Sequence, residues 1–124
     1  MPNNPCESQN EEGVTEMQII LHAGDARAKC LMSLQKINEG SFSEAQELLN
    51  EANTEINQAH KVQTEMIQEE AKGNKKEVSL LMVHAQDHLM TAIAIRDMVI
   101  TFIAYATMMA KRIKDLEERK WGNV

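Results

Sequence analysis

The segment 80–91 places several polar side chains in an otherwise apolar stretch, and these residues are the best candidates for chemistry. The polar residues that share one face of a helix here are His84, Asp87, His88 and Thr91. An imidazole can act as a nucleophile, a base or a metal ligand through one ring nitrogen while a hydrogen bond holds the other. Burying several polar groups on one turn is costly unless they pair or perform a task. His84 is therefore the strongest candidate for a reactive residue.

Three tasks suit the spacing His-x-x-Asp-His, and the residues alone leave all three open. The first is a divalent metal site, because two histidines one turn apart can bind zinc; a zinc hydrolase would add a third protein ligand and a catalytic carboxylate. The spacing resembles the His-x-x-Glu-His motif, with aspartate in place of glutamate. The second task is nucleophilic catalysis, in which His84 accepts a group and its neighbours orient it. The third is a structural polar layer that fixes the register of packed helices.

Three helical segments can position this face, because the sequence contains no alternating strand pattern and no hairpin dipeptide. The predicted helices span about residues 14–39, 42–72 and 76–119. Short turns between them make consecutive helices antiparallel. The sequence therefore predicts an all-α domain over residues 14–120, built as an up-down-up three-helix bundle of the spectrin-repeat type.

Local signals mark the predicted helix ends. Gly40 is expected to end the first helix as a left-handed cap, and Gly73 to end the second. Ser41 and Glu44 have the spacing of a capping box at the start of the second helix. In the first helix, the residues that fall together on one face are Met17, Leu21, Gly24, Ala28, Leu31 and Leu34. Gly24 lies inside this helix, which suggests close approach by a neighbouring helix or a ligand.

The third helix is apolar around most of its circumference between residues 78 and 110. Two partner helices can cover only part of such a surface, so other subunits should bury the remainder. We expect a homo-oligomer built on this helix. The charged segment 111–120 is expected to be a solvated helix end.

Composition limits the class of protein and its partners. The chain has 13 basic and 19 acidic residues and a net charge of −6, which argues against nucleic acid or an anionic membrane as a partner.

Residues 1–13 contain few apolar side chains and are predicted to be a disordered tail, and residues 121–124 form the C-terminal end. Cys6 and Cys30 match neither a disulfide framework nor zinc spacing. This cysteine usage fits a reducing cytoplasm, and because no signal peptide or transmembrane span is predicted, we expect a soluble protein.

Several spaced motifs together resemble the lactose/cellobiose family of enzyme IIA components of the bacterial sugar phosphotransferase system. The resemblance covers about residues 14–105. The motifs that carry it are AGDAR at 23–27, NEG at 38–40, Ala-His with Gln-Thr within 59–64, and MVHAQDHLMT at 82–91.

The resemblance implies a homotrimer of three-helix subunits that takes a phosphoryl group from the carrier HPr. The group would pass to a cysteine of the cognate IIB component for uptake of a lactose, cellobiose or chitobiose type of sugar. His84 matches the phosphorylated histidine, at Nε2, and His88 and Gln63 match motif positions near it. Asp87 matches the aspartate that meets its symmetry copies around a metal ion, usually magnesium, on the trimer axis. The alternatives outside the family are a metal-dependent hydrolase and a structural helical bundle.

Overall fold

Three helices make up the fold. The computed structural model describes residues 5–122 of the chain, and the side chains of residues 15–119. This part contains α1 (Pro5–Asn38), α2 (Phe42–Ala71) and α3 (Leu80–Gly122), and no strand. The predicted all-α class is confirmed. At about 1.5 Å per residue, α3 extends for about 65 Å and α2 for about 45 Å, so α3 is much the longer helix.

Side-chain contacts show that α1 and α2 are antiparallel. Ser33 Oγ in α1 donates a 2.8 Å hydrogen bond to the carbonyl oxygen of Ala45 in α2. Further toward the start of α1, His22 Nδ1 lies 2.5 Å from Glu55 Oε2. Residues that come later in α2 therefore contact residues that come earlier in α1, as in an antiparallel pair.

The third helix returns alongside α1 in the parallel direction. Ser79, just before α3, donates from Oγ to Glu16 Oε1 at 3.3 Å. Further along both helices, Arg96 lies close enough to Cys30 to influence the thiol electrostatically. The fold is thus the predicted up-down-up bundle, in which α1 packs against both partners and α2 touches α3 much less.

Both turns reverse the chain at a glycine. Gly40 has φ 77° and Gly73 has φ 98°, in the left-handed region that a side chain rarely adopts. At the first turn, the Ser41 N–H donates to the carbonyl oxygen of Lys36 at 2.9 Å, which is the bond that closes a Schellman motif. The predicted left-handed cap at Gly40 and the predicted end of the second helix at Gly73 are confirmed.

The predicted capping box at Ser41 is wrong. Ser41 is the N-cap residue of α2, but its side chain makes no capping hydrogen bond. Glu44 Oε2 instead lies 3.1 Å from Lys36 Nζ in α1. The carboxylate pairs with a cation across the turn, because the Schellman motif brings the end of α1 against the first turn of α2.

Helix α1 buries a different face from the one that the sequence pattern predicted. The residues of α1 that lie in the core are Ile19, Ala23, Ala26, Cys30, Ser33 and Ile37. Met17, Leu21 and Leu31 are exposed in the single chain, so α1 has a second apolar face. Small residues on the buried face, Ala23, Ala26, Cys30 and Ser33, let the helices approach closely there. A Cβ added at Gly24 would meet nothing within 4 Å in this chain, so the expected close neighbour is not part of the bundle.

The predicted bounds of the first and third helices require correction. Helix α1 begins at Pro5 rather than near residue 14, while residues 1–4 lie outside the described part of the chain. Extending an existing helix costs far less than nucleating one, and proline is tolerated in the first turn. Helix α3 begins at Leu80 rather than near Lys76 because Ser79 caps it: Ser79 Oγ accepts a 3.0 Å hydrogen bond from the Met82 N–H.

Helix α3 projects beyond the bundle at its C-terminal end. Ile103 is its last buried residue, and none of residues 107–119 is buried in the single chain. By length and composition alone, α3 resembles a membrane-spanning helix. One such helix is weak evidence for a span, because the central helix of a soluble assembly passes the same test. Arg96 and Asp97 also lie near the middle of its apolar stretch.

Candidate phosphoryl-transfer site

The two histidines of the predicted site face each other one turn apart near the start of α3. Nε2 of His84 lies 3.1 Å from Nε2 of His88, and their ring centroids are 4.4 Å apart with an interplanar angle of 80°. His84 is exposed in the single chain and His88 is half-buried. The expected spacing on one helical face is confirmed, whereas His84 is not enclosed within its own bundle. A partner protein or another subunit can therefore reach its Nε2 atom.

The nitrogen atoms of this pair must divide the roles of donor and acceptor. Two Nε2 atoms at hydrogen-bond distance require one to carry a hydrogen and the other a lone pair. When His88 donates, His84 Nε2 presents its lone pair and its Nδ1 carries the hydrogen. That tautomer of His84 is the nucleophilic one at Nε2, so His88 can select the reactive form of its neighbour.

Asp87 and Thr91 lie on the same exposed side of α3 as His84. Asp87 makes no hydrogen bond or ion pair with another described side chain. Among residues 15–119, no three His, Cys, Asp or Glu side chains gather closely enough to hold a metal ion. Next to the histidine pair, one chain thus offers a single carboxylate, that of Asp87, and it has no partner among the described residues. Such an oxygen donor fits a magnesium site only if other subunits contribute their own copies.

Gln63 belongs to a contact between α2 and α3 rather than to the histidine pair. Its Nε2 donates to Oε1 of Gln86, and Gln86 Nε2 lies 3.5 Å from the sulfur of Met82. Gln86 points toward α2, while His84, two positions earlier, points away from it. Sequence reasoning missed Gln86; its polarity at a half-buried position beside the reactive histidine was the available signal. The glutamine pair holds together the two helices that otherwise touch least.

The other nucleophiles and imidazoles lie outside this site. His22 pairs with Glu55 between α1 and α2, and His60 is exposed on α2. Cys30 is a free thiol that is fully buried. Burial raises the pKa of the Cys30 thiol, and the positive charge of Arg96 offsets part of that rise. A buried, protonated thiol is a poor nucleophile, so Cys30 does not compete with His84.

Comparison with known proteins identifies the class. Residues 14–107 match the family model described as the lactose/cellobiose-specific IIA subunit of the phosphotransferase system. The chain is 48% identical over 81 residues to the lichenan-specific phosphotransferase enzyme IIA component of Bacillus subtilis, a match that covers 65% of this chain and 74% of that protein.

Solved structures agree with this match. The cellobiose-specific enzyme IIA of Bacillus anthracis superposes with a TM-score of 0.74 at 41% identity, covering 78% of this chain and 89% of that one. The chitobiose IIA of Escherichia coli, solved in complex with HPr, superposes with a TM-score of 0.67 at 32% identity, covering 77% and 93%. These findings favour the phosphotransferase family over the two alternatives, a metal-dependent hydrolase and a structural helical bundle. The chain belongs to the lactose/cellobiose-specific IIA family, the phosphocarrier components of the bacterial sugar phosphotransferase system.

Proposed function

We propose that this chain accepts a phosphoryl group from phospho-HPr on Nε2 of His84 and passes it to a cysteine of the cognate IIB component. The observation that carries the proposal is the pairing of the exposed His84 with His88 at 3.1 Å between Nε2 atoms. In the first transfer, the Nε2 lone pair of His84 forms the new bond to phosphorus while the bond from phosphorus to the donor breaks. In the second transfer, the cysteine sulfur replaces Nε2.

His88 would have a different partner before and after the transfer. Before it, the His88 Nε2–H donates to Nε2 of His84 and holds the reactive tautomer. After it, Nε2 of His84 has no lone pair to offer, and the same N–H is released to donate to a phosphoryl oxygen. A donor aimed at the transferred group stabilises its charge without a separate base.

The proposal extends to a homotrimer assembled through α3. Large apolar side chains on this helix are exposed in the single chain, among them Met98 at 74% and Tyr105 at 55%. Exposed apolar surface of this extent favours burial by further subunits. Around a threefold axis, three copies of Asp87 would meet, and a magnesium ion held by them would neutralise their mutual repulsion. The ion would serve assembly, and the transfer chemistry would remain with the histidines.

The cellular setting follows from the same assignment. We place the protein in the cytoplasm, where it serves uptake of a sugar of the lactose, cellobiose or chitobiose type. The support is that its relatives are named for lichenan, cellobiose and chitobiose. HPr is proposed as the donor because the chitobiose relative was solved with it.

The test is intact mass spectrometry at neutral pH after incubation with enzyme I, HPr and phosphoenolpyruvate. The wild type should gain one phosphoryl group per chain, and His84→Ala should gain none while its circular dichroism stays unchanged. His22→Ala and His60→Ala are the matched controls and should be phosphorylated like the wild type. Phosphoryl uptake by His84→Ala would overturn the assignment.

A further inference from the structure

The projecting end of α3 carries an apolar stripe that continues the face of Asp87. The residues of this axial stripe are Asp87, Thr91, Ala94, Met98, Phe102, Tyr105, Met109, Ile113 and Leu116. From Asp87 to Leu116 the chain advances 29 residues in eight steps of three or four, a mean step of about 3.6 residues. A stripe with the period of the helix itself runs straight along it, so nearly straight neighbouring helices could bury its whole length.

The stripe remains uncovered past the end of the bundle. Ile113 is 52% exposed and Leu116 is 63% exposed, and both lie beyond Ile103, the last buried residue of α3. The family match also ends at residue 107. Apart from the half-buried Met109, the side chains of residues 107–119, the projecting segment, are exposed in the single chain, although their apolar residues follow the same face as the part of α3 inside the bundle.

We propose that the projecting segment is a parallel self-association element, in which residues 107–119 of neighbouring copies pack on one another and continue the trimer seam beyond the bundle. The inference rests on the trimer of the proposed function and adds to it a segment that lies almost wholly beyond the family-model match. Its occupant is a second and a third copy of this chain. Residues 111–119 are exposed in the single chain, as expected for a solvated helix end, and the proposal adds burial of their apolar side by neighbouring copies.

Charges beside the stripe favour the parallel direction. In parallel packed helices, a residue flanking the seam faces the residue roughly five positions further along the neighbouring helix. Arg112 and Glu117 lie on opposite flanks of the stripe at this separation, so each copy can pair its Arg112 with the Glu117 of the next. Neither residue makes an ion pair within the described part of its own chain. An antiparallel arrangement would instead bring together Arg112 and Arg119, which share one flank.

A membrane surface fits the same segment poorly. Residues 107–119 contain four cations and three anions, so their net charge is only +1. Juxtamembrane segments that bind anionic lipid owe their affinity to clusters of basic residues with little acidic content. The mixed charges here are arranged for pairing between helices rather than for attraction to lipid.

The test is sedimentation velocity across a concentration series of the full-length protein. Ile113→Gln/Leu116→Gln should weaken the trimer at least about tenfold, because three copies of two apolar side chains leave the seam together. Lys114→Gln/Glu118→Gln is the matched control: it changes the opposite side of the same helix, keeps the net charge, and should stay within about twofold of the wild type. A trimer equally stable in both double variants would overturn the projecting seam and leave the trimer itself standing. A monomeric wild type would overturn both the trimer and the seam.

Charge variants and cysteine variants test whether the packed helices run parallel. Arg112→Glu should weaken the trimer, and Arg112→Glu/Glu117→Arg should restore it, since these positions are too far apart on one helix to pair within a chain. In a background of Cys6→Ser/Cys30→Ala, Leu116→Cys treated with diamide should form covalent dimers, whereas Glu118→Cys should not. The proposal would be overturned if Leu116→Cys failed to cross-link in an intact trimer. It would also be overturned if the protein bound anionic vesicles and Ile113→Gln/Leu116→Gln abolished that binding without weakening the trimer.

Discussion

His84 and His88 contact each other through the same ring atom, Nε2 to Nε2 at 3.1 Å across one turn of α3. The reactive nitrogen of the proposed phosphohistidine is therefore already engaged by the neighbour that would stabilise the product. Because one of the two atoms must donate, the pair couples the tautomer of His84 to the hydrogen on His88. A single-turn helical spacing thus provides both a nucleophile and the group that sets its protonation.

His88→Ala should slow phosphoryl transfer to His84 by about tenfold or more, since one positioned donor is lost. His88→Gln keeps an N–H donor and should recover part of the rate. The measurement is the initial rate of mass gain with phospho-HPr in excess, and His60→Ala provides the baseline. Equal rates for the wild type and His88→Ala would remove His88 from the mechanism.

Asp87→Asn should make the trimer insensitive to chelator. In the wild type, removing a divalent ion would leave three ionised carboxylates facing each other, which weakens assembly. Sedimentation velocity at pH 7.5 with and without EDTA measures this as a shift in the dissociation midpoint for the wild type only. Thr91→Val, one turn along the same face, should keep the EDTA response. A wild-type trimer indifferent to EDTA would rule out a metal at Asp87.

Ser79→Ala should lower the free energy of unfolding by about 1 kcal/mol or more, because Ser79 Oγ accepts the capping hydrogen bond from the Met82 N–H and donates to Glu16 Oε1. Ser41→Ala is the internal control, since the Ser41 side chain makes no capping bond, and it should change stability by less than about 0.5 kcal/mol. Urea denaturation at one fixed protein concentration compares them. Equal losses at both positions would contradict the assignment of Ser79 as the working cap.

Cys30 should make the protein less stable at alkaline pH. Burial raises the pKa of its thiol in the folded chain, so the unfolded chain releases the proton first as pH rises. Its contribution to stability is therefore present below about pH 8.5, the ordinary thiol pKa, and is lost above it. Cys30→Ala should lack this alkaline loss.

The same variant tests whether phosphoryl transfer depends on this thiol. Urea denaturation between pH 7 and 10 compares the Cys6→Ser background with and without Cys30→Ala, and both should still pass phosphate to IIB. Loss of that transfer with His84 normally phosphorylated would show that Cys30 takes part.

Much of the fold was readable from local sequence because helices and glycine turns depend on near neighbours. The uninterrupted helical pattern and the glycines at 40 and 73 predicted three helices and both reversals correctly. The predicted starts of α1 and α3 differ by several residues from the observed starts at Pro5 and Leu80. Those positions depend on how far an existing helix propagates and on which of several polar residues becomes the cap.

The histidine spacing was equally local. Residues four apart on a helix must share a face, so the contact between His84 and His88 followed from the sequence once the helix was assigned. The glutamine pair between Gln63 and Gln86 could not follow in this way. Its partners are distant in the sequence, and only the packing of α2 against α3 brings them together.

The sequence by itself determined three helices, their order and turns, and the face that carries His84, because each depends on intervals of a few residues. The tertiary structure alone decided which of the two apolar faces of α1 lies in the core, since both faces have helical spacing and both contain small residues. It also decided where α3 leaves the bundle. That point lies shortly after Ile103, the last buried residue of α3.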